Sequence, residues 1–188
     1  MLQCSHAPMS NILLISGSPR KGNTEYILSA VKKILKKAGY QPELVLLRKE
    51  KIKECLGCSV CQAGKPCPLK DEMGRLNQKL LTADYLIIGS PTYFNMISGL
   101  LKKWIDRTNP LYFKNQLEGK HGSIIAVGAA GRQSIGKAGE NIKHFFDIYK
   151  IITDQIILFE AEHPDDVKDN LEYQKKIRQF ADGVIRGI

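Results

Sequence analysis

Ile12-Leu-Leu-Ile-Ser-Gly-Ser-Pro-Arg-Lys-Gly-Asn-Thr24 is the stretch on which the fold turns. Residues 12–15 form a short continuous apolar run, the pattern of a strand buried on both faces. Residues 16–24 bring two glycines and several polar side chains, and then Ile27, Val31, Ile34, Leu35 and Ala38 recur at helical spacing with lysines on the other side. A helix entered through such a loop is an anion site, because its first backbone N–H groups lack partners and its dipole favours negative charge. Ser18, Asn23 and Thr24 add side-chain donors, Arg20 adds a positive charge, and Ser16 opens the loop and is counted with them.

The spacing Gly17-x4-Gly22-Asn23-Thr24 resembles a nucleoside triphosphate loop, but asparagine stands where that loop needs lysine to reach the β- and γ-phosphates. ATP and GTP are therefore not expected. Nor does the loop spell G-x-G-x-x-G, so NAD is not expected as a firmly held cofactor. A single terminal phosphate suits it best. Helix capping accounts for one of these residues but not for four polar groups and two glycines together.

Further along, apolar runs of the same kind fall at 44–47, 85–88, 124–127 and 156–159. Helical patterns lie between and after them, in Ile142, Phe145, Phe146 and Tyr149 and in Ile177, Phe180, Ala181, Val184 and Ile185. Strands alternating with helices mean an α/β fold, a parallel sheet wrapped on both faces. Five strands fit a doubly wound sheet, where ligands bind outside the carboxyl ends at the point where strand order reverses. The third strand runs into Gly89-Ser-Pro-Thr-Tyr-Phe-Asn95, after which Ser98 and Gly99 precede a helix with Lys102, Trp104, Asp106 and Arg107. Tyr93 and Phe94 offer a flat apolar surface beside Pro91, while Thr92 and Asn95 suit hydrogen bonds to a heteroaromatic ring. The same aromatics would serve equally in a core or an interface. After the fourth strand, Gly128-Ala129-Ala-Gly131 is small enough for a planar ring to approach the backbone.

The loop after the second strand carries Cys55-x2-Cys58-x2-Cys61-x5-Cys67. Two-residue gaps let one turn aim three sulfurs inward, with Gly57 to ease the wrapping, and Cys67, followed by Pro68, returns as a fourth. That spacing reads as an iron-sulfur cluster site with four local ligands. Three other readings stay open: structural zinc, which usually takes separated cysteine pairs, a disulfide pair, and thiols that are merely redox-labile. Neighbouring strands lie about 4.8 Å apart, so a cluster after strand two and a ligand beside strands one and three share one edge of the sheet.

At 188 residues and 43% hydrophobic content, the chain suits one well-buried domain, expected over 10–188 with the cysteine loop at 55–67. Residues 1–9 read as a loose extension, and Cys4 within them is left out of the site. With no apolar run of bilayer length and no signal-like start, the chain is expected to be cytoplasmic and to make no membrane contact. Its 28 lysines and arginines against 19 acidic residues give +9. Lys32, Lys33, Lys36 and Lys37 fall on a helix face and Arg48, Lys49, Lys51 and Lys53 on a short connection, without interleaved aromatics, so no nucleic acid is expected. The histidines show no catalytic or metal-ligand pairing.

With Gly17-Ser-Pro-Arg-x-Gly-Asn-Thr24, Pro91-Thr-Tyr-Phe94, Lys102-x3-Asp106-Arg107 and the cysteine motif in hand, the chain resembles the flavodoxin-like NADPH-dependent FMN reductase superfamily, and within it the iron-sulfur flavoproteins. The resemblance implies a flavodoxin-like five-stranded sheet of order 2-1-3-4-5. It implies FMN with its phosphate on Ser18, Arg20, Asn23 and Thr24, Ser16 counted among the cofactor-binding residues, and its ring near Pro91, Thr92, Tyr93, Phe94 and Asn95 and near Gly128, Ala129 and Gly131. It also implies a [4Fe-4S] cluster on Cys55, Cys58, Cys61 and Cys67. A homodimer or homotetramer follows, with the helix of Trp104 and Asp106 as the contact surface and Asp106 and Arg107 structural. The chemistry then belongs to the cofactors, with no catalytic side chain: electrons pass from ferredoxin or transient NAD(P)H to a small acceptor such as a quinone or an oxygen species. Two rival readings are an NAD(P)H-dependent FMN or quinone reductase without a cluster, and a redox-sensing carrier that is not an enzyme.

Overall fold

The computed structural model describes residues 10–188; the expected extension over 1–9, with Cys4, lies outside the described residues. The chain runs β1 (Asn11–Ser16), α1 (Asn23–Lys37), β2 (Gln41–Leu46), α2 (Met73–Thr82), β3 (Tyr85–Tyr93), β4 (Met96–Ile97), α3 (Gly99–Asp106), α4 (Asn109–Tyr112), β5 (His121–Gly128), α5 (Gly131–Ile148), β6 (Ile152–Glu160) and α6 (Leu171–Gly187). The five long strands are parallel in the order β2-β1-β3-β5-β6, and β4 pairs antiparallel with β3 alone. Leaving out that two-residue addition, the order is the 2-1-3-4-5 expected.

Alternation along each strand sends side chains to two cores. Leu13, Ile15, Leu86, Ile88, Ile124 and Ala126 meet α2, α3 and α5 on one face. Ile12, Leu14, Tyr85, Ile87, Ile125, Val127 and Phe159 meet α1 and α6 on the other. Burial on both faces is why the central strands read as unbroken apolar runs. The edge strand β2 has no such need. It starts at Gln41 with exposed and half-buried residues alternating, and Leu47, expected in the strand, is instead the buried first residue of a 3-10 turn over Leu47–Lys49. Helix α2 went unforeseen, although Met73, Leu76 and Leu80 stand at helical spacing and are all buried.

β1 and β3 lie side by side where the strand order reverses, with Ser16 opposite Gly89. There Gly17 N–H donates to the Gly89 carbonyl at 2.8 Å, fixing the first turn beyond β1 against β3.

Candidate functional site

The loop from Ser16 to Asn23 is held from behind. Ser18, buried, folds its hydroxyl onto Arg20, donating to that residue's carbonyl (2.7 Å) and accepting from its N–H (3.3 Å). A Cβ on Gly17 would lie 2.7 Å from Leu101 Cβ, so only glycine lets α3 come this close. The buried Ser98 makes that approach specific: its hydroxyl donates to the Gly17 carbonyl (2.5 Å) and accepts from Leu101 N–H (3.0 Å), capping α3. Ser98 N–H in turn donates to Ser90 Oγ (3.1 Å). Ser90 and Ser98 are thus positioning residues that spacing alone did not single out.

The start of α1 carries no side-chain cap, which leaves its first N–H groups for an anion. Thr24 is buried in this first turn, Ser16 is buried at the end of β1, and Arg20 is exposed at the loop's rim. Asn23 has a second duty: its Nδ2 donates to the His163 carbonyl (2.6 Å) and its Oδ1 accepts from Val167 N–H (3.2 Å), binding the loop after β6 to this site.

Beyond β3 the chain turns back at once. Thr92 pairs with Ile97 and Tyr93 with Met96, and the two residues between, Phe94 and Asn95, both have positive φ (49° and 63°). That is the backbone of a tight hairpin turn, unusual for an aromatic residue. Phe94 is 99% exposed at its tip and Tyr93 is half-exposed, so the expected apolar surface is presented outward. Thr92 packs under the fourth loop: a Cβ on Gly128 would come within 3.0 Å of Thr92 Cβ, and Thr92 Oγ1 is buried with no hydrogen-bond partner among the described residues. Pro91 is half-buried, Ala129 is exposed, and Gly131 takes a left-handed φ of 78° as α5 begins. An uncapped helix start and an unpartnered hydroxyl fit a phosphorylated ring that accepts one hydrogen bond or donates one.

All four cysteines line one cavity of about 150 Å³, together with Leu56, Pro68, Asp106, Arg107 and Asn109. Left-handed residues at Gly57, Ser59 and Gly64 wrap the loop around it. Cys55, Cys58 and Cys67 are exposed and Cys61 is half-buried. Among the described residues no three His, Cys, Asp or Glu side chains are drawn together as a single-ion site. A cluster takes each thiolate at a separate iron, so it needs a wider ring of sulfurs around a shared space, which this cavity provides.

The base of the cysteine loop is locked by a buried ion pair. Arg107, its side chain 2% exposed, reaches Asp71 at 2.6 and 3.1 Å, the Lys53 carbonyl at 2.7 Å and Cys67 Sγ at 3.6 Å. Asp71 also accepts from Lys53 N–H (2.9 Å) and Met73 N–H (3.0 Å). Burial alone would raise the Asp71 carboxyl, but the donors around it outweigh that and hold it at about 2. Arg107 therefore belongs to the cysteine cavity, which its sequence position gave no sign of. Trp104, expected on a contact surface, is wholly buried, edge-on to Phe145 at 5.8 Å. The helix buries its aromatic and turns Lys102, Ile105 and Asp106 toward a groove shared with α4 and α5.

Helix α3 joins the two halves of the candidate site, its first turn on the loop from Ser16 to Asn23 and its end at the cysteines. Its eight residues span about 12 Å at 1.5 Å per residue. So the cysteine cavity stands one short helix away from the reversal point.

A sequence profile described as NADPH-dependent FMN reductase matches residues 10–185. The chain belongs to that family. A relative from Methanocaldococcus jannaschii, an iron-sulfur flavoprotein, is 34% identical over 142 residues, 75% of this chain and 74% of its own length. Another iron-sulfur flavoprotein, from Archaeoglobus fulgidus, is 40% identical over 97 residues, 52% of this chain, which spans only 48% of that relative. The crystal structure of RosB with bound 8-demethyl-8-formylriboflavin-5′-phosphate superposes with a TM-score of 0.74 over 92% of this chain and 75% of that one. At 16% identity it speaks for the flavodoxin-like fold alone. The NADPH-dependent FMN reductase family and its iron-sulfur branch are thus borne out, and with them a flavin-dependent oxidoreductase. No helix among the described residues is long and apolar enough to cross a membrane.

Proposed function

We propose that this oxidoreductase carries FMN at the reversal point and a [4Fe-4S] cluster on Cys55, Cys58, Cys61 and Cys67, and passes electrons from ferredoxin or NAD(P)H to a small acceptor such as a quinone or an oxygen species. The observation that carries the reading is that all four thiols line one cavity at the far end of the helix whose start is bonded to the phosphate loop. When bound, FMN accepts a hydride or single electrons and the cluster handles one electron at a time.

In this reading Ser16, Ser18, Arg20 and Thr24, with the α1 N–H groups, bind the phosphate, while Asn23 holds the 163–167 segment beside it. The ring sits between 91–95 and Gly128, Ala129 and Gly131, where Thr92 Oγ1 orients it and Tyr93 and Phe94 keep water from one side. The exposed Phe94 and Met96, next to the groove between α3, α4 and α5, form the surface of a homodimer or homotetramer.

Anaerobic purification, an absorption spectrum and assays of FMN, iron and acid-labile sulfide test the proposal. Yellow-brown protein with about four irons per chain is expected. Yellow protein without iron or sulfide means a cluster-free reductase, and colourless protein ends the reading. Turnover with reduced ferredoxin compared against NADPH then identifies the donor.

A further inference from the structure

We propose that Arg107 is a positioning residue for the cysteine-held redox centre, donating an N–H to the sulfur of Cys67 and raising the centre's reduction potential. This rests on the cluster reading above. Both terminal nitrogens of the guanidinium are fully committed: Nη1 donates to the Lys53 carbonyl and Asp71 Oδ2, and Nη2 donates to Asp71 Oδ1 and Cys67 Sγ. With the two side chains only 2% and 3% exposed, the fork cannot swing away to water. Planar geometry lets one arginine hold a carboxylate and a sulfur at once, which a lysine cannot do.

Asp71 neutralises the pair, so what reaches Cys67 is a directed, short-range hydrogen bond from a guanidinium that is itself withdrawn from water. Asp106, the other charge on this cavity, is engaged by Lys102 at 2.5 Å. On reduction one electron passes from the donor to the metal–thiolate unit, whose charge becomes more negative by one. No bond at Cys67 forms or breaks, and Arg107 keeps its protons. A donor at the sulfur stabilises the more negative state more, and so favours reduction. If Arg107 were only a clamp on the loop base, its loss would change stability and metal content but leave the potential alone.

The experiment is a dye-mediated redox titration of anaerobic protein followed by electron paramagnetic resonance, with iron assayed on every sample. Arg107→Lys keeps the charge without the fork, and the pair Arg107→Gln with Asp71→Asn removes both charges and so avoids a stranded carboxylate. Each is expected to lower the reduced-to-oxidised ratio at fixed potential about tenfold, which is about 59 mV for one electron. Unshifted potentials at full iron content overturn the proposal. In metal-free protein, mass spectrometry of iodoacetamide labelling reads the same contact, with Cys67 expected to react several-fold more slowly relative to Cys55 in the variants. Equal rates also overturn it. Wild-type protein lacking iron and sulfide sinks the cluster reading, while the labelling comparison still decides the arginine contact.

Discussion

Asp71 accepts four hydrogen bonds, from both ends of the cysteine loop and from Arg107, which makes one carboxylate answerable for the shape of that loop. Its folded value of about 2 lies below the ordinary carboxylate range, so its stabilisation is complete above about pH 4 and is lost as pH falls toward 2. A depression of nearly two units corresponds to about 2.5 kcal/mol. Asp71→Asn strands a buried guanidinium and is expected to cost about 3–5 kcal/mol at pH 7, by denaturant melts. The gap to wild type should narrow between pH 4 and 2; a constant gap over that range would mean the pair is not what the carboxylate is for. Thr92 supplies the opposite case. A buried hydroxyl without a partner is a liability in the flavin-free protein, so Thr92→Val is expected to raise the stability of that form by about 1 kcal/mol. Fluorescence titration should then show weaker FMN binding, and unchanged affinity would remove Thr92 from the ring site.

Helix α3 shows how an element too short to stand alone is placed by its ends. Eight residues are well below the length that is stable in water, so burial of Leu101 and Trp104 and the Ser98 cap must fix it. Ser98→Ala removes the cap and leaves the buried Gly17 carbonyl without its donor, an expected loss of about 2–3 kcal/mol in thermal or denaturant unfolding. Because the same hydroxyl braces the loop from Ser16 to Asn23, FMN affinity should fall with it if that loop holds the phosphate as proposed; a stability loss with full affinity would separate α3 from the loop. The elements that were legible in the sequence are those with a clear pattern: the three inner strands and the edge strand β6 as apolar runs, and α1, α5 and α6 as amphipathic stripes. The β3–β4 hairpin was hidden because its turn uses Phe94 and Asn95 where an Asn-Gly or Gly-Gly signal would be expected. The Arg107–Asp71–Cys67 contact was equally hidden, since its members are 36 and 40 residues apart and only the packing of α3 against the cysteine loop joins them.

Across the whole molecule, several of the large apolar side chains exposed outside the two cores gather on one side. Met96, Tyr112 and Ile148 line a groove of about 630 Å³ between α3, α4 and α5, and Phe94 and Phe113 lie on adjoining segments. The basic charge was readable from composition but said nothing about this surface, because the residues come from three separate segments and none is periodic with the others. A self-association face that would be stable needs roughly 800 Å² from each partner, more than the groove residues alone supply, so the projecting hairpin must contribute. Wild-type protein is therefore expected to sediment as a dimer or tetramer at micromolar concentration. Ile148→Glu places a charge on the groove rim at a half-exposed position, where the monomer's fold loses little, and should shift sedimentation to the monomer with an unchanged far-ultraviolet circular dichroism spectrum. Phe94→Asn suits the left-handed turn better than phenylalanine and should weaken assembly while raising monomer stability by about 1 kcal/mol. A wild type that stays monomeric, or an Ile148→Glu variant that assembles undiminished, would show that this apolar face serves something other than a second copy of the chain.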